Sequence, residues 1–272
     1  MTTTMRTNRT ALLAATLAAA LLSLPQVSLA ASGSGAPAQA QTENTAAANA
    51  AARLNKKQFH NVTVTVDNGI ATLSGTVDLF QYKADAEKAV SKAKGVTGVR
   101  NAIQVAGPAV SDAVLQAKLG DKLAYDRVGY WNTFNAISLG VENGIVTLGG
   151  HARTDVDKDS AIALASYYPG VKGVVDHIQV DPVSIMDDHS RLAVARAVYS
   201  APMLNKYAID PAQPIRISVQ NGNVELYGTV DNQTDKEVAY MRANAVPGIF
   251  SVKNYLQVAN QSGETQNKVV TQ

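Results

Sequence analysis

Residues 62–105 read VTVTVDNGIATLSGTVDLFQYKADAEKAVSKAKGVTGVRNAIQV, and this stretch decides the fold because its pattern returns twice in the 272-residue chain. Residues 137–180 are ISLGVENGIVTLGGHARTDVDKDSAIALASYYPGVKGVVDHIQV; residues 215–230 are IRISVQNGNVELYGTV, and that copy closes on SVKNYLQV at 251–258. Landmarks keep step: Gly69, Gly144 and Gly222 stand 75 and 78 residues apart, as do Gly75, Gly150 and Gly228, and again Gly95, Gly170 and Gly248. A period this long belongs to a small domain rather than to a solenoid turn, so the chain reads as three copies of one fold in a row.

Each copy opens with alternating apolar residues broken by Asn-Gly, at 68–69, 143–144 and 221–222. Asn-Gly is the strongest short hairpin signal because a type I′ turn needs positive φ at both central residues. Counting outward from a two-residue loop pairs Val66 with Ala71, Val64 with Leu73 and Val62 with Gly75 on an apolar face, and Thr65 with Thr72 and Thr63 with Ser74 on a polar one. The glycine that recurs at the end of the apolar face (Gly75, Gly150, Gly228) predicts a close approach, which we assign to the helix that follows. That helix shows Tyr82, Ala86, Ala89, Val90 and Ala93 on one stripe, with Ala161 and Ala165, then Ala239 and Ala243, in the other copies. Thr234 and Glu237 read as a capping box, and Gly95, Gly170 and Gly248 as left-handed residues closing the helices. Alternating strands at 99–105, 174–180 and 252–258 finish each copy.

The chain begins with Arg6 and Arg9, the short apolar run 11–24 and Ser28-Leu29-Ala30, which reads as a cleavable signal peptide over 1–30. There is no cysteine, hence neither disulfide nor lipoprotein anchor. The signal holds two of the 24 basic residues and none of the 22 acidic ones, so the exported protein is near neutral on a formal count. That balance gives no footprint for a nucleic acid. Residues 31–44 read as a disordered linker and 260–272 as a disordered tail. Between them the domains are expected at 45–106, 111–181 and 187–259, each led by a helix (45–57, 111–125, 188–199). The predicted class is α+β: three tandem small αββαβ domains, each a three-stranded mixed sheet with two helices on one face, the third strand entering beside the second by a right-handed crossover.

The order αββαβ, the hairpin pattern V-x-NG-x-V-x-L-x-G and the late motif P-G-V-x-x-V-x-N-x-L-x-V, seen as YPGVKGVVDHIQV and VPGIFSVKNYLQV, resemble the BON domain. The first copy departs from the pattern with Lys94 where the others carry Pro169 and Pro247. A signal peptide followed only by such units resembles the exported, osmotically inducible members of that family. The resemblance implies binding rather than catalysis: a periplasmic protein of envelope integrity or osmotic stress whose domains meet phospholipid surfaces, weakly and peripherally. The alternative it implies is a chaperone-like or protein-interaction module for exported proteins; oligomeric state is left open.

The recurring polar residues have structural readings. Asn68, Asn143 and Asn221 make turns, and Asn101, Asp176 and Asn254 cap or bond locally. His60, His151, His177 and His189 share no ligand spacing. Asp155-Val156-Asp157-Lys158-Asp159 imitates a calcium loop but has Ser160 and Ser166 where Gly and Glu are required, so acids at a helix start explain it better. No nucleophile elbow or phosphate-cradling loop is present. The expectation is no catalytic residue, no metal and no cofactor. Tyr125, Tyr130, Trp131 and Phe134 stand outside the repeat pattern. They read either as side cover for the core or as an interfacial patch, in which Tyr130, Trp131, Phe134, Lys118 and Lys122, with Arg127 nearby, would meet anionic lipid.

Overall fold

A computed structural model describes residues 36–127 and 132–259. The expected signal peptide, the first part of the linker and the tail lie outside them, as do Tyr130 and Trp131. The first unit runs α1 (Ala36–Arg53), β1 (Val62–Asp67), β2 (Ile70–Val77), α2 (Phe80–Val90), β3 (Gly98–Asn101) and β4 (Gln104–Val105). The second runs α3 (Asp112–Tyr125), β5 (Ala136–Glu142), β6 (Ile145–Ala152), α4 (Asp155–Ser166) and β7 (Gly173–Val180). The third runs α5 (Ile185–Tyr199), β8 (Arg216–Gln220), β9 (Asn223–Tyr227), β10 (Thr229–Val230), α6 (Gln233–Asn244), β11 (Ser251–Asn254) and β12 (Gln257–Val258).

In every unit the hairpin is antiparallel and the last strand lies parallel beside the second, giving the sheet orders β1-β2-β3, β5-β6-β7 and β8-β9-β11. The Asn-Gly turns set the register as read. Asn68 has φ 49° and Gly69 φ 79°, and Val66 pairs with Ala71, Val64 with Leu73 and Val62 with Gly75. On the polar face Thr63 Oγ1 and Ser74 Oγ are hydrogen-bonded at 2.9 Å. The other face carries both helices. Ala50 of α1 and Ala86 and Val90 of α2 share a core with Ala71, Leu73 and Val77. Leu115, Leu119, Ala161 and Ala165 do the same with Val146 and Leu148, and Val194, Val198, Ala239 and Ala243 with Ile217, Val224 and Leu226. Small helix residues let the helices sit low on each sheet.

Four local expectations need correction. Gly75, Gly150 and Gly228 are not crowded by the following helix. Their φ values are +109°, +84° and +127°, and a Cβ would stand 1.9 Å from Asn61 O, 2.0 Å from Ala136 O and 2.7 Å from Pro214 O, so the chain entering the hairpin is the obstacle. Gly95 and Gly248 do not close α2 and α6, which end at Val90 and Asn244, and α4 ends at Ser166, before Gly170. Gly170 is the third residue of the turn Tyr168-Pro169-Gly170-Val171, closed by Val171 N–H donating to Tyr168 O, a type II pattern that Pro and Gly pre-set. The cap of α6 is Asn232, whose side chain accepts from Asp235 N at 2.8 Å, rather than Thr234 with Glu237. Finally, α1 begins at Ala36, inside the stretch read as linker. Its alanines and glutamines carry helix propensity without any periodicity, and Ala46 and Ala50 are buried against the unit.

Candidate functional site

Each hairpin turn is held by a carboxylate from the leading helix. Glu43 Oε1 accepts from Asn68 N at 3.1 Å. Asp112 accepts from Asn143 N at 2.6 Å and Gly144 N at 2.8 Å, and Asp187 from Asn221 N and Gly222 N, both at 2.9 Å. The positions of the acids were visible in the sequence, but nothing there aimed them at turns lying 25, 31 and 34 residues further on. The late Asn/Asp residue ties the last strand to the second helix. Asn101 Nδ2 donates to Lys83 O at 2.9 Å and Asn254 Nδ2 to Lys236 O at 2.8 Å, while their Oδ1 atoms accept from Ile103 N and Leu256 N. In the second unit Asp176 instead meets the Lys158 ammonium at 2.6 Å. Burial alone would raise its pKa, but Lys158 and the Ile178 N–H hold it below the usual carboxylate range. The recurring polar side chains therefore serve the fold.

Of the residues read for lipid contact, Tyr130 and Trp131 lie outside the described residues. Phe134 is buried, and it packs with the core of the third unit rather than facing solvent. Arg127 is buried too, donating to Ser160 Oγ at 2.9 Å and Asp157 O at 2.6 Å, which places it on the start of α4. Lys118 and Lys122 are exposed on α3, and Lys122 is paired with Asp126 at 2.6 Å, whose hydrogen bond raises the lysine pKa. Tyr125 is exposed and donates its hydroxyl to Asp210 Oδ1 at 3.2 Å across to the third unit. In the third unit Tyr199 and Tyr207 cover the core. Burial pushes the Tyr199 hydroxyl up to about 12 while it donates to Ile215 O at 2.7 Å.

A polar joint connects the second and third units. Asp181 and Arg191 are both buried, with Arg191 Nη2 3.1 Å from Asp181 Oδ2 and 2.7 Å from Val219 O. Ser218 Oγ donates to Asp181 Oδ2 at 3.2 Å, Gln220 Nε2 donates to Oδ1 at 2.8 Å, and His151 Nδ1 lies 3.3 Å from Oδ1. Arg191 Nη1 also reaches Asp188 at 2.7 Å, which meets Arg153 at 3.4 Å beside a cavity of about 250 Å³ walled by Phe134 and Leu192. Ser, His and Asp meet here, but the serine is bonded to the carboxylate and not to the imidazole, so the arrangement orients no base toward a nucleophile. Its effect is on β8, the edge strand of its sheet. Arg191 and Tyr199 occupy the carbonyls of Val219 and Ile215, which protects an edge that would otherwise invite pairing.

At the turn end of the third unit lies a groove of about 550 Å³, between the start of α5 and the Pro247-Gly248 turn. Met186 and Phe250 stand at its rim, 74% and 81% exposed, with Ile185 at 75% and Val183 at 98% nearby. Among the described residues no group of His, Asp or Glu is arranged to hold a metal ion, and no helix is long and apolar enough to cross a membrane.

Comparison with known proteins gives a family and one curated relative. The model of the BON domain matches residues 42–107, 111–182 and 202–260. The third match starts after α5, although α5 packs on that unit's core as α1 and α3 do on theirs. Osmotically-inducible protein Y of Escherichia coli (strain K12) is 28% identical over 123 residues, which is 44% of this chain and 61% of that protein's length. Among solved structures, the C-terminal domain of CdsD, the structural protein of the Type III secretion system of Chlamydia trachomatis, is 18% identical, with a TM-score of 0.24 over 78% of this chain and 96% of that one. The PrgH periplasmic domain is 12% identical, with a TM-score of 0.17 over 74% and 94%. With family matches that take in all three hairpins and most of the sequence, the chain belongs to the BON domain family, as a tandem of three such domains.

Proposed function

We propose that this chain is a non-catalytic protein of the periplasm, exported by its N-terminal segment and engaged in osmotic stress, whose BON domains bind what they meet rather than convert it. The relative's description as osmotically inducible supports the setting. The observation that carries the binding reading is that the recurring polar side chains are committed to turns, caps and ties, so what the units offer outward is surface. Cell fractionation before and after an osmotic upshift tests it: the protein should accumulate in the periplasmic fraction with its first 30 or so residues removed, as a signal of this design implies. Cytoplasmic retention, or an abundance indifferent to osmolarity, overturns it.

For the ligand, the family resemblance favours phospholipid surfaces, met through exposed Lys118 and the neighbouring segment that holds Tyr130 and Trp131. Flotation with vesicles containing anionic lipid should carry part of the protein upward at low salt, with a blue shift of Trp131 emission; no flotation with either neutral or anionic vesicles sinks this reading. A second reading, binding of polypeptide segments, is favoured by the apolar groove at the turn end of the third unit.

A further inference from the structure

We propose that the groove of the third unit seats an extended apolar segment of another polypeptide, with a β-branched side chain laid over Gly248. This rests on the polypeptide-binding reading and names its site and ligand. The other two units show what the place is shaped for. A Cβ on Gly95 would stand 2.8 Å from the Ala46 methyl of α1. A Cβ on Gly170 would stand 2.9 Å from Val110 Cγ2, with Pro108 O at 3.5 Å, because the linker between the first two units lies across that turn and Val110 packs against the second core. A Cβ on Gly248 would meet no described residue within 4 Å, its two chain neighbours aside.

The difference has a local cause. Asp112 and Asp187 are counterparts, each binding both N–H groups of its Asn-Gly turn, but Asp112 is the first residue of α3 and Asp187 the third of α5. Capped by Ser184, which accepts from Asp187 N at 3.2 Å, α5 starts sooner and takes Ile185, the counterpart of Val110, into its first turn. Ile185 is left 75% exposed instead of covering the glycine. The walls have changed too. Where Thr97 and Lys172 lie over the turn glycines of the first two units, the third has the ring of Phe250, within 2.6 Å of a Cβ built on Gly222. Met186 stands where the second unit has Ser111.

Single exposed apolar residues are ordinary, whereas contiguous ones around a concave space mark contact sites. The lining includes Ser184, Ser190 and Asn221, which offer hydrogen bonds to a peptide backbone, and no lysine or arginine. With His189 as its only basic side chain it lacks the permanent positive charge an anionic headgroup would draw on, and its acid, Asp187, is already engaged by the turn amides. A segment like Gly107-Pro108-Ala109-Val110 fits: stiff, extended, with one β-branched side chain to bury.

The test uses the full chain and a labelled peptide with the sequence of residues 105–111. Binding should perturb the amide resonances of Gly222 and Gly248. It should weaken at least tenfold when Val110 of the peptide is replaced by Asp, and likewise in the variant Phe250→Lys with Met186→Ser, which installs residues the second unit already tolerates. Perturbation elsewhere, or equal binding by the variant, overturns the proposal. So does displacement of the peptide by anionic vesicles, which makes lipid the occupant, or a tenfold gain in affinity on deleting residues 265–272, which makes it the chain's own tail. Reduced, carboxymethylated α-lactalbumin separates the two levels: if wild type and variant bind it equally, the polypeptide reading stands and this groove falls; if neither binds it or the peptide, both fall.

Discussion

At Gly150 the backbone, not the packing, forbids a side chain. Its φ of +84° is one that L residues adopt at a cost of roughly 1–3 kcal/mol, and a Cβ would also meet Ala136 O at 2.0 Å. Gly150→Ala should therefore lower the unfolding free energy by more than about 2 kcal/mol in urea titrations of the full chain. Gly140, on the same hairpin with ordinary φ and nothing near its Cβ position, is the control: Gly140→Ala should be neutral or gain up to about 1 kcal/mol. Equal effects at the two positions would refute the backbone explanation. Asp187 makes a second test, because its buried carboxylate accepts from two turn amides. Asp187→Ala should cost about 1–3 kcal/mol and Asp187→Asn, which keeps one acceptor oxygen, clearly less. The sequence displayed these glycines and acids by their spacing. It did not display their partners, since a clash with a carbonyl or a bond to a distant amide leaves no mark on side-chain pattern.

Among the elements, the hairpins were legible to the residue and the helix ends were not. Asn-Gly inside alternation permits one register, whereas a helix start depends on which of several polar residues finds an amide, and α6 chose Asn232 over Thr234. The start of α6 also carries a pH dependence. Asp235 is buried, which by itself would raise its pKa above the ordinary 3.8, yet the Tyr207 hydroxyl at 2.6 Å, the Lys206 ammonium at 2.9 Å and Asn232 together hold it lower. A lowered native pKa means the unfolded chain takes up this proton first. The stabilisation is complete well above pH 4 and is lost as the pH falls through the ordinary value toward the native one. The melting temperature of wild type should thus drop on acidification from about pH 5 to pH 3 more steeply than that of Asp235→Asn, which starts lower and has no such charge to lose. Parallel curves for the two proteins would remove Asp235 from the acid response.

For the whole molecule, repetition gave three domains, and the features that join them sit where the copies disagree. Asp181 stands where the first unit has Ala106, Arg191 where the second has Gln116, and Ser218 where the second has Gly140. A reading built on what recurs passes over such positions, which is why the joint and the packing of Phe134 on the core of the third unit were not legible while the units were. The joint makes a mechanical prediction. Asp181 and Arg191 lie between domains with separate cores, so removing one partner strands a buried charge and costs about 3–5 kcal/mol at the contact rather than inside either core. Replacing both with apolar residues of similar size should recover most of that loss, because the pair's attraction is largely offset by its desolvation. In guanidinium titrations wild type should unfold its second and third domains in one transition. Arg191→Met and Asp181→Leu should each split it, with the third domain melting first as the carbonyl of Val219 on edge strand β8 loses its cover or the contact opens beside it. Asp181→Leu with Arg191→Met should restore a single transition, and the cycle of four proteins gives the coupling directly. If the single variants keep one transition at an unchanged midpoint, the two domains are coupled by the apolar contact of Phe134 and not by the buried pair.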